Sequence, residues 1–364
     1  MRVSLVSPYS LSTPGGVQGQ VLGLARALRE IGADARVIAP CDGPPPEPFV
    51  TSVGPSTKVS SNGSVSPIAP GKVAASRTLE ALRDFAPDVL HLHEPLVPGP
   101  TTAALLGSDI PAVGTFHAAA ASRPRPYRYL RKPAKGAANQ LSIRTAVSED
   151  ARRTAEEALG GSYWVLPNGV DVARFAKAAP WPQGTGGEEP PAILFLGRHE
   201  PRKGLGVLLD AFAALGSDGV LWVAGDGPET EALQALGVGG VVWLGPITDD
   251  EKARRLRAAT VLCAPSLHGE SFGMVVLEGL AAGVPVIASD IPGYRNVARP
   301  DLEALMVAPG DPESLRLALR RLLDDPGRRA GLVEAGEQRA AGFSMQRLAE
   351  RFVTVYEAAI SLGR

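Results

Sequence analysis

Short apolar runs rich in β-branched residues alternate with stretches of helical periodicity from one end of the chain to the other. In the first half the runs predict strands at Val3–Val6, Ala35–Ala39, Val89–His93, Ala112–Phe116 and Arg144–Val147. Between the first two, Val17, Val21, Leu24 and Leu28 recur at i, i+4, i+7 and i+11, which is one face of a 3.6-residue period and predicts a helix. The pattern breaks over 176–191, where Pro and Gly accumulate without periodicity and a linker is expected. It restarts with strands expected at Ile193–Leu196, Val220–Ala224, Val241–Leu244, Val261–Ala264 and Pro285–Ala288, and ends in helices over 312–324, 327–341 and 345–361. Strands alternating with helices predict parallel sheets joined by crossover helices, here two doubly wound α/β domains. The expected division is 1–172, then 173–345 including the linker, then a helix over 346–364 that crosses back to the first domain. Open α/β sheets bind ligands beyond the carboxyl ends of their strands, so an inter-domain cleft is the place to look.

Composition narrows the class. A chain of 364 residues gives two domains room for separate cores. A net charge of -1 argues against a bulk nucleic-acid binder. Cys41 and Cys263 are far apart and belong to no metal-binding spacing, so a reducing, cytoplasmic setting is expected. Met1–Pro8 reads as a first strand rather than a signal peptide. No apolar stretch approaches the roughly 18 residues that span a bilayer, so any membrane contact is expected at the surface.

The candidate chemistry concentrates in the second half. Glu270 and Glu278 are separated by seven residues and sit between the strand-like Val261–Ala264 and the turn Gly283-Val284-Pro285. Eight residues of helix rise about 12 Å, too far for two carboxyls that act on one bond but suited to gripping two parts of a long ligand. A helix starting near Ser271–Phe272 presents backbone amides and a positive dipole end to an anion. A diphosphate at that terminus, a sugar near Glu270 and a ribose near Glu278 make a consistent arrangement. Upstream, Gly197-Arg198-His199-Glu200-Pro201-Arg202-Lys203-Gly204 follows a strand, so Arg198 and Lys203 reach past a strand end, where cations stabilise charge growing on a leaving diphosphate. Arg202 and His199 read as surface residues. Gly225-Asp226-Gly227-Pro228 is either part of a donor pocket or a plain β-to-α turn. His91 and His93 alternate along a strand without a third metal ligand, as core or polar strand contacts do.

These segments resemble the E-x7-E motif and its surroundings in the GT4 glycosyltransferases, and the whole chain is similar to the actinobacterial phosphatidylinositol mannosyltransferases. The likeness runs through Pro8-Tyr9-Ser10, Pro14-Gly15-Gly16-Val17-Gln18, Asn62-Gly63-Ser64-Val65, Asp88 to Pro95, Thr115-Phe116-His117, Ala146-Val147-Ser148, Pro167 to Val172 and Glu200 to Gly204. It implies a GT-B fold, with two Rossmann-like α/β domains and an inter-domain cleft, the first holding the acceptor and the second the nucleotide sugar. It implies a retaining transfer of a hexose, with mannose from GDP-mannose favoured, to an inositol-phospholipid-type acceptor. Arg198, Lys203, Glu270 and His117 take the catalytic roles. Gly16, Ile247, Ser271, Phe272, Gly273, Met274 and Glu278 join Arg198, Lys203 and Glu270 in holding the donor. Tyr9, Gln18 and Asn62 hold the acceptor. Apart from the donor no cofactor is implied, and no ligand set for Mg2+ is evident.

Where the resemblance leads one to expect hydroxyl side chains after His117, the chain has Ala118 to Ala121. Residues 123–135 follow, carrying Arg123, Arg125, Arg128, Arg131, Lys132 and Lys135 with Tyr127 and Tyr129, a composition that suits either an anionic phospholipid surface or a solvated loop. On the first reading the protein is peripheral on the inner face of the plasma membrane. Two alternatives stay open: a transferase with a soluble sugar-phosphate or alcohol acceptor, and a non-catalytic nucleotide-sugar binding module.

Overall fold

The computed structural model describes residues 1–61, 64–119, 127–182, 190–216 and 219–363. The chain forms two compact units, one of Met1–Gly169 with Met345–Arg364 and one of Val170–Ser344.

The strands of the first unit are β1 (Arg2–Val6), β2 (Asp34–Ala39), β3 (Val50–Ser52), β4 (Thr57–Ser61), β5 (Ser64–Ile68), β6 (Val89–His93), β7 (Ala112–Phe116), β8 (Ile143–Ala146) and β9 (Trp164–Val165). Among the described residues, seven of them form one parallel sheet in the order β3-β2-β1-β6-β7-β8-β9, and β4 and β5 form a separate antiparallel hairpin. Strand order reverses at β1, whose neighbours are β2 and β6, so the ligand edge of this sheet is where β1 and β6 end. The helix Gly16–Glu30 follows β1 and buries Val21, Leu24 and Leu28, the periodic face seen in the sequence. That face packs with β1 residues Val3 and Leu5 and with Leu348, Phe352, Val355 and Tyr356 of the last helix, Met345–Leu362. The carboxyl-terminal helix thus completes the core of the first unit.

The second unit contains β10 (Ala192–Leu196), β11 (Val220–Ala224), β12 (Val241–Gly245), β13 (Val261–Ala264), β14 (Val286–Ser289) and β15 (Ala304–Val307), in one parallel sheet ordered β12-β11-β10-β13-β14-β15. Its order reverses at β10, which pairs with β11 on one side and β13 on the other. The loops leaving β10 and β13 therefore start side by side, and these are the loops that carry Arg198–Lys203 and Glu270. Ile193, Phe195, Leu208, Leu209, Phe212, Val223, Cys263 and Leu319 fill the core beneath them.

The stretch read as a linker is partly structured. The helix Val172–Lys177 runs into it, and Trp181 is stacked under Arg254 and Arg255, whose guanidinium carbons stand 4.9 and 4.3 Å from its ring centroid. Residues 183–189 lie outside the described residues. Among the described residues no helix is long and apolar enough to cross a membrane.

Candidate active site

The loop after β10 turns through a short 3-10 segment, Pro201–Lys203, and leaves it at Gly204 with φ 68°. A Cβ there would stand 2.1 Å from the Pro265 carbonyl oxygen, so only glycine lets this loop press against the one that follows β13. The Leu267 amide donates to the Arg202 carbonyl at 2.7 Å and ties the two loops together. Lys203 Nζ donates to Glu270 Oε1 at 2.6 Å, and Arg202 Nη1 reaches the same oxygen at 3.2 Å. Burial alone pushes the Glu270 carboxyl up, but Lys203, then Arg202 and the Ser266 hydroxyl, outweigh it and hold the group below the usual range. Ser266 in turn shares a hydrogen bond with the buried Tyr294 hydroxyl at 2.7 Å.

Arg198 joins this cluster through Glu200. Arg198 Nε stands 3.2 Å from Glu200 Oε1, and Arg202 Nε donates to Glu200 Oε2 at 2.9 Å. Arg202 is therefore not a surface residue, as its sequence suggests, but the link between two carboxylates. His199 is corrected in the same way: it is 1% exposed, packed edge-on against Trp243, and bonded through Nδ1 to Thr230 Oγ1 at 2.8 Å. Its amide donates to the Asp226 carbonyl, so the Gly225–Pro228 turn backs the cationic loop.

The helix after Glu270 starts at Met274, with Gly273 as its N-cap, two residues later than expected. Glu270 and Ser271 thus belong to a loop, as does Phe272, which is buried edge-on against Phe343. The 12 Å helical spacing inferred for the two glutamates does not apply. Glu278 lies within the helix and accepts from Lys252 Nζ at 2.7 Å, which also stands 3.3 Å from Asp249 Oδ1. Burial lowers the Lys252 pKa, but Glu278 and Asp249 reverse this and raise it. Ile247 is half-buried just before Thr248, the N-cap of the helix that bears Lys252. Sequence reasoning gave neither Lys252 nor Glu200 a role.

In the first unit, His117 follows β7 and is 8% exposed. Its Nε2 lies 3.0 Å from His93 Nδ1, and burial pushes its pKa down to about 3. The half-buried Glu94, at φ 51°, accepts from the amides of His117 and Ala118, both at 2.8 Å, and so fixes the strand end. His91 bonds Tyr356 and Thr115 in the core through its two ring nitrogens. Gly16 opens the first helix and is exposed. Gln18 is buried, its amide 3.5 Å from the Ser10 carbonyl. Tyr9 is half-buried and bridges to Ile68 at the end of the β4–β5 hairpin. Asn62 lies outside the described residues, as do Arg123, Arg125, Ala120 and Ala121. The backbone of Tyr127–Ala138 is helical, with Lys132 and Lys135 exposed.

Residues 14–174 match the family model Glycosyltransferase Family 4, and residues 181–339 match Glycosyl transferases group 1. The chain is 36% identical to a phosphatidyl-myo-inositol mannosyltransferase of Mycolicibacterium smegmatis, over 100% of this chain and 95% of that protein. It is 37% identical to the protein of the same name in Mycobacterium leprae, over 100% and 98%. This chain belongs to the GT4 family of glycosyltransferases. Among solved structures, this glycosyltransferase is similar to sucrose-phosphate synthase from Thermosynechococcus elongatus, with a TM-score of 0.76 at 20% identity over 99% of each chain. It is also similar to Anabaena HepE in complex with UDP-glucose, with a TM-score of 0.75 at 19% identity over 98% of this chain and 100% of that one. The fold is GT-B.

Proposed function

We propose that this glycosyltransferase moves mannose, with its anomeric configuration retained, from GDP-mannose to the inositol ring of a phosphatidylinositol-type lipid. The observation that carries the reading is the cluster at the ends of β10 and β13, where Arg198, Arg202 and Lys203 are interleaved with Glu200 and Glu270. Relatives matched over their full length bear the corresponding name and supply the sugar and the acceptor class.

On this reading the second unit takes the donor. Arg198, Lys203 and the amino end of the helix beginning at Met274, with Ser271, Phe272 and Gly273 leading into it, meet the diphosphate. Glu270 meets the sugar, Glu278 the ribose, and the segment around Ile247 the base. The first unit contributes Gly16 to the diphosphate, His117 to the sugar, and Tyr9, Gln18 and Asn62 to the acceptor. The state of the carboxylates and the histidine supports a same-face transfer without a covalent intermediate. Glu270 Oε1 is already engaged by Lys203, Arg202 and Ser266, which makes it a poor nucleophile. A histidine held neutral to about pH 3 is a weak base, so His117 hydrogen-bonds a sugar hydroxyl rather than taking a proton. The acceptor proton then passes to the leaving phosphate oxygen on the same face of the sugar. Arg198 and Lys203 stabilise the charge that remains.

Arg198→Ala should lower kcat roughly a hundred- to thousandfold with an unchanged melting temperature, and Lys203→Ala should lower kcat as much but also lower the melting temperature, because it strips a partner from the buried Glu270. Near-normal turnover in both would remove the reading. A melting panel of GDP-mannose, UDP-glucose and UDP-N-acetylglucosamine identifies the donor, because a ligand at a hundred times its Kd stabilises by about 2.7 kcal/mol. A soluble acceptor is the second reading, favoured by Ala118 and Ala119, which bring no hydroxyls beside His117. Salt-sensitive co-sedimentation with phosphatidylinositol vesicles supports the lipid, with residues 123–135 as the anionic-surface contact, and its absence supports the soluble acceptor.

A further inference from the structure

Glu200 carries a charge that the proposed chemistry does not use. Its side chain is only 4% exposed, and a carboxylate taken out of water at that depth persists only where cations and hydrogen bonds compensate it. Both compensating groups are arginines of the same loop, and the two oxygens are divided between them: Oε1 to Arg198 Nε at 3.2 Å and Oε2 to Arg202 Nε at 2.9 Å. The backbone beneath is fixed on both sides, since the Glu200 amide donates to the Arg198 carbonyl and the Glu200 carbonyl accepts from the Lys203 amide, each at 2.9 Å. Arg202 continues to Glu270 Oε1, which also receives Lys203. Arg198, Glu200, Arg202, Glu270 and Lys203 thus form a chain of alternating charge, and Glu200 ties its outermost member to the rest.

Arg198 is the most solvent-open of the three cations. Its side chain is 44% exposed, against 22% for Arg202 and 17% for Lys203. A free arginine side chain carries about 2 kcal/mol of rotamer entropy, and a contact at Nε orients the guanidinium plane. We infer that Glu200 is a positioning residue: it aims Arg198 at the leaving diphosphate and locks it to the Arg202–Glu270–Lys203 cluster. The inference rests on the reading of Arg198 as the group that meets that diphosphate.

Glutamine at this position keeps the shape but replaces one acceptor oxygen with an NH2 donor, which faces an arginine Nε–H and breaks one of the two contacts. Glu200→Gln is expected to lower kcat about 10- to 100-fold, with the KM for the nucleotide sugar changed less than about threefold, as for an interaction made in the transition state. Glu200→Asp keeps the charge but not the reach, and should fall between the two. The decisive measurement is the double-mutant cycle with Arg198→Ala. If Glu200 acts through Arg198, adding Glu200→Gln to Arg198→Ala costs less than about twofold more. Unchanged kcat in Glu200→Gln, or the same fold loss in both backgrounds, overturns the inference while leaving the role of Arg198 intact. Wild-type kcat in Arg198→Ala instead removes the parent reading, whatever Glu200→Gln does. If Glu200→Gln loses cooperative melting, Glu200→Asp carries the cycle, and loss of cooperative melting in both variants assigns Glu200 to folding and overturns the inference.

Discussion

Three buried histidines, His91, His93 and His117, set the acid response of the first unit. Burial lowers the pKa of each, His91 and His117 to about 3. Well above pH 6.5 they are neutral in both the folded and unfolded chain and contribute no pH dependence; at pH 6.5 each is already half protonated in the unfolded chain. Below it the unfolded chain binds protons that the folded one refuses, so stability falls as pH falls, by up to about 1.4 kcal/mol per pH unit for each histidine. Glu94 works in the opposite direction, its carboxyl raised by burial, but it is one group against three. Denaturant unfolding at pH 8.5, 7.5 and 5.5 should show a plateau and then a decline; equal stability at all three would refute this account. Residue chemistry was partly legible in the sequence. Lys203 was singled out because it reaches past a strand end and Glu270 because of its spacing from Glu278, and the two are in contact. Arg202 and His199 were misread, because exposure is decided by what packs over a loop, here the Gly225–Pro228 turn and the loop leaving β13. Arg198, Glu200 and Arg202 fall at alternate positions with alternating charge, a signal that could have marked Glu200.

Among the elements, the strands at the centre of each sheet were the most legible, since full burial writes an unbroken apolar run. Edge and short strands other than β12 were missed: β9 has two residues, and the β4–β5 hairpin alternates serine with few apolar side chains, although Asn62-Gly63 is a strong turn signal. The start of the helix Met274–Ala282 was misjudged because the loop before it is held by tertiary contact rather than by local pattern. The short helix Pro292–Arg295 supplies that contact. A Cβ on Gly293 would come within 2.0 Å of the Glu270 carbonyl oxygen, so the two backbones meet with no side chain between them. Gly293→Ala should cost about 3 kcal/mol, lower the melting temperature by about 6–12 °C and reduce transfer by displacing Glu270. Gly331, within the helix Pro326–Ala341, has open space around it, so Gly331→Ala should be neutral or stabilise by up to about 1 kcal/mol. Equal melting temperatures for the two variants would contradict the close approach.

At the scale of the molecule, alternation of strands and helices was enough to give two α/β halves, whereas the hydrogen-bonded partners of the last helix could not be read from its own pattern. Tyr356 bonds His91 at 2.8 Å, and Gln20 grips the backbone of Gly169 from both sides, at 2.7 and 2.9 Å. A chain ending at Ser344 should therefore keep the protected amides of β10–β15 in hydrogen exchange but lose protection in β1 and β6, whose core it opens. Retained protection in β1 would show that the helix is dispensable. The same feature bears on birth at the ribosome. The first 169 residues emerge lacking the segment that closes their interior, and at typical elongation rates they wait roughly ten to forty seconds for it. The half made second is the half that can finish first, and the apolar face of Gly16–Glu30 is what nascent-chain chaperones have to shield in the meantime.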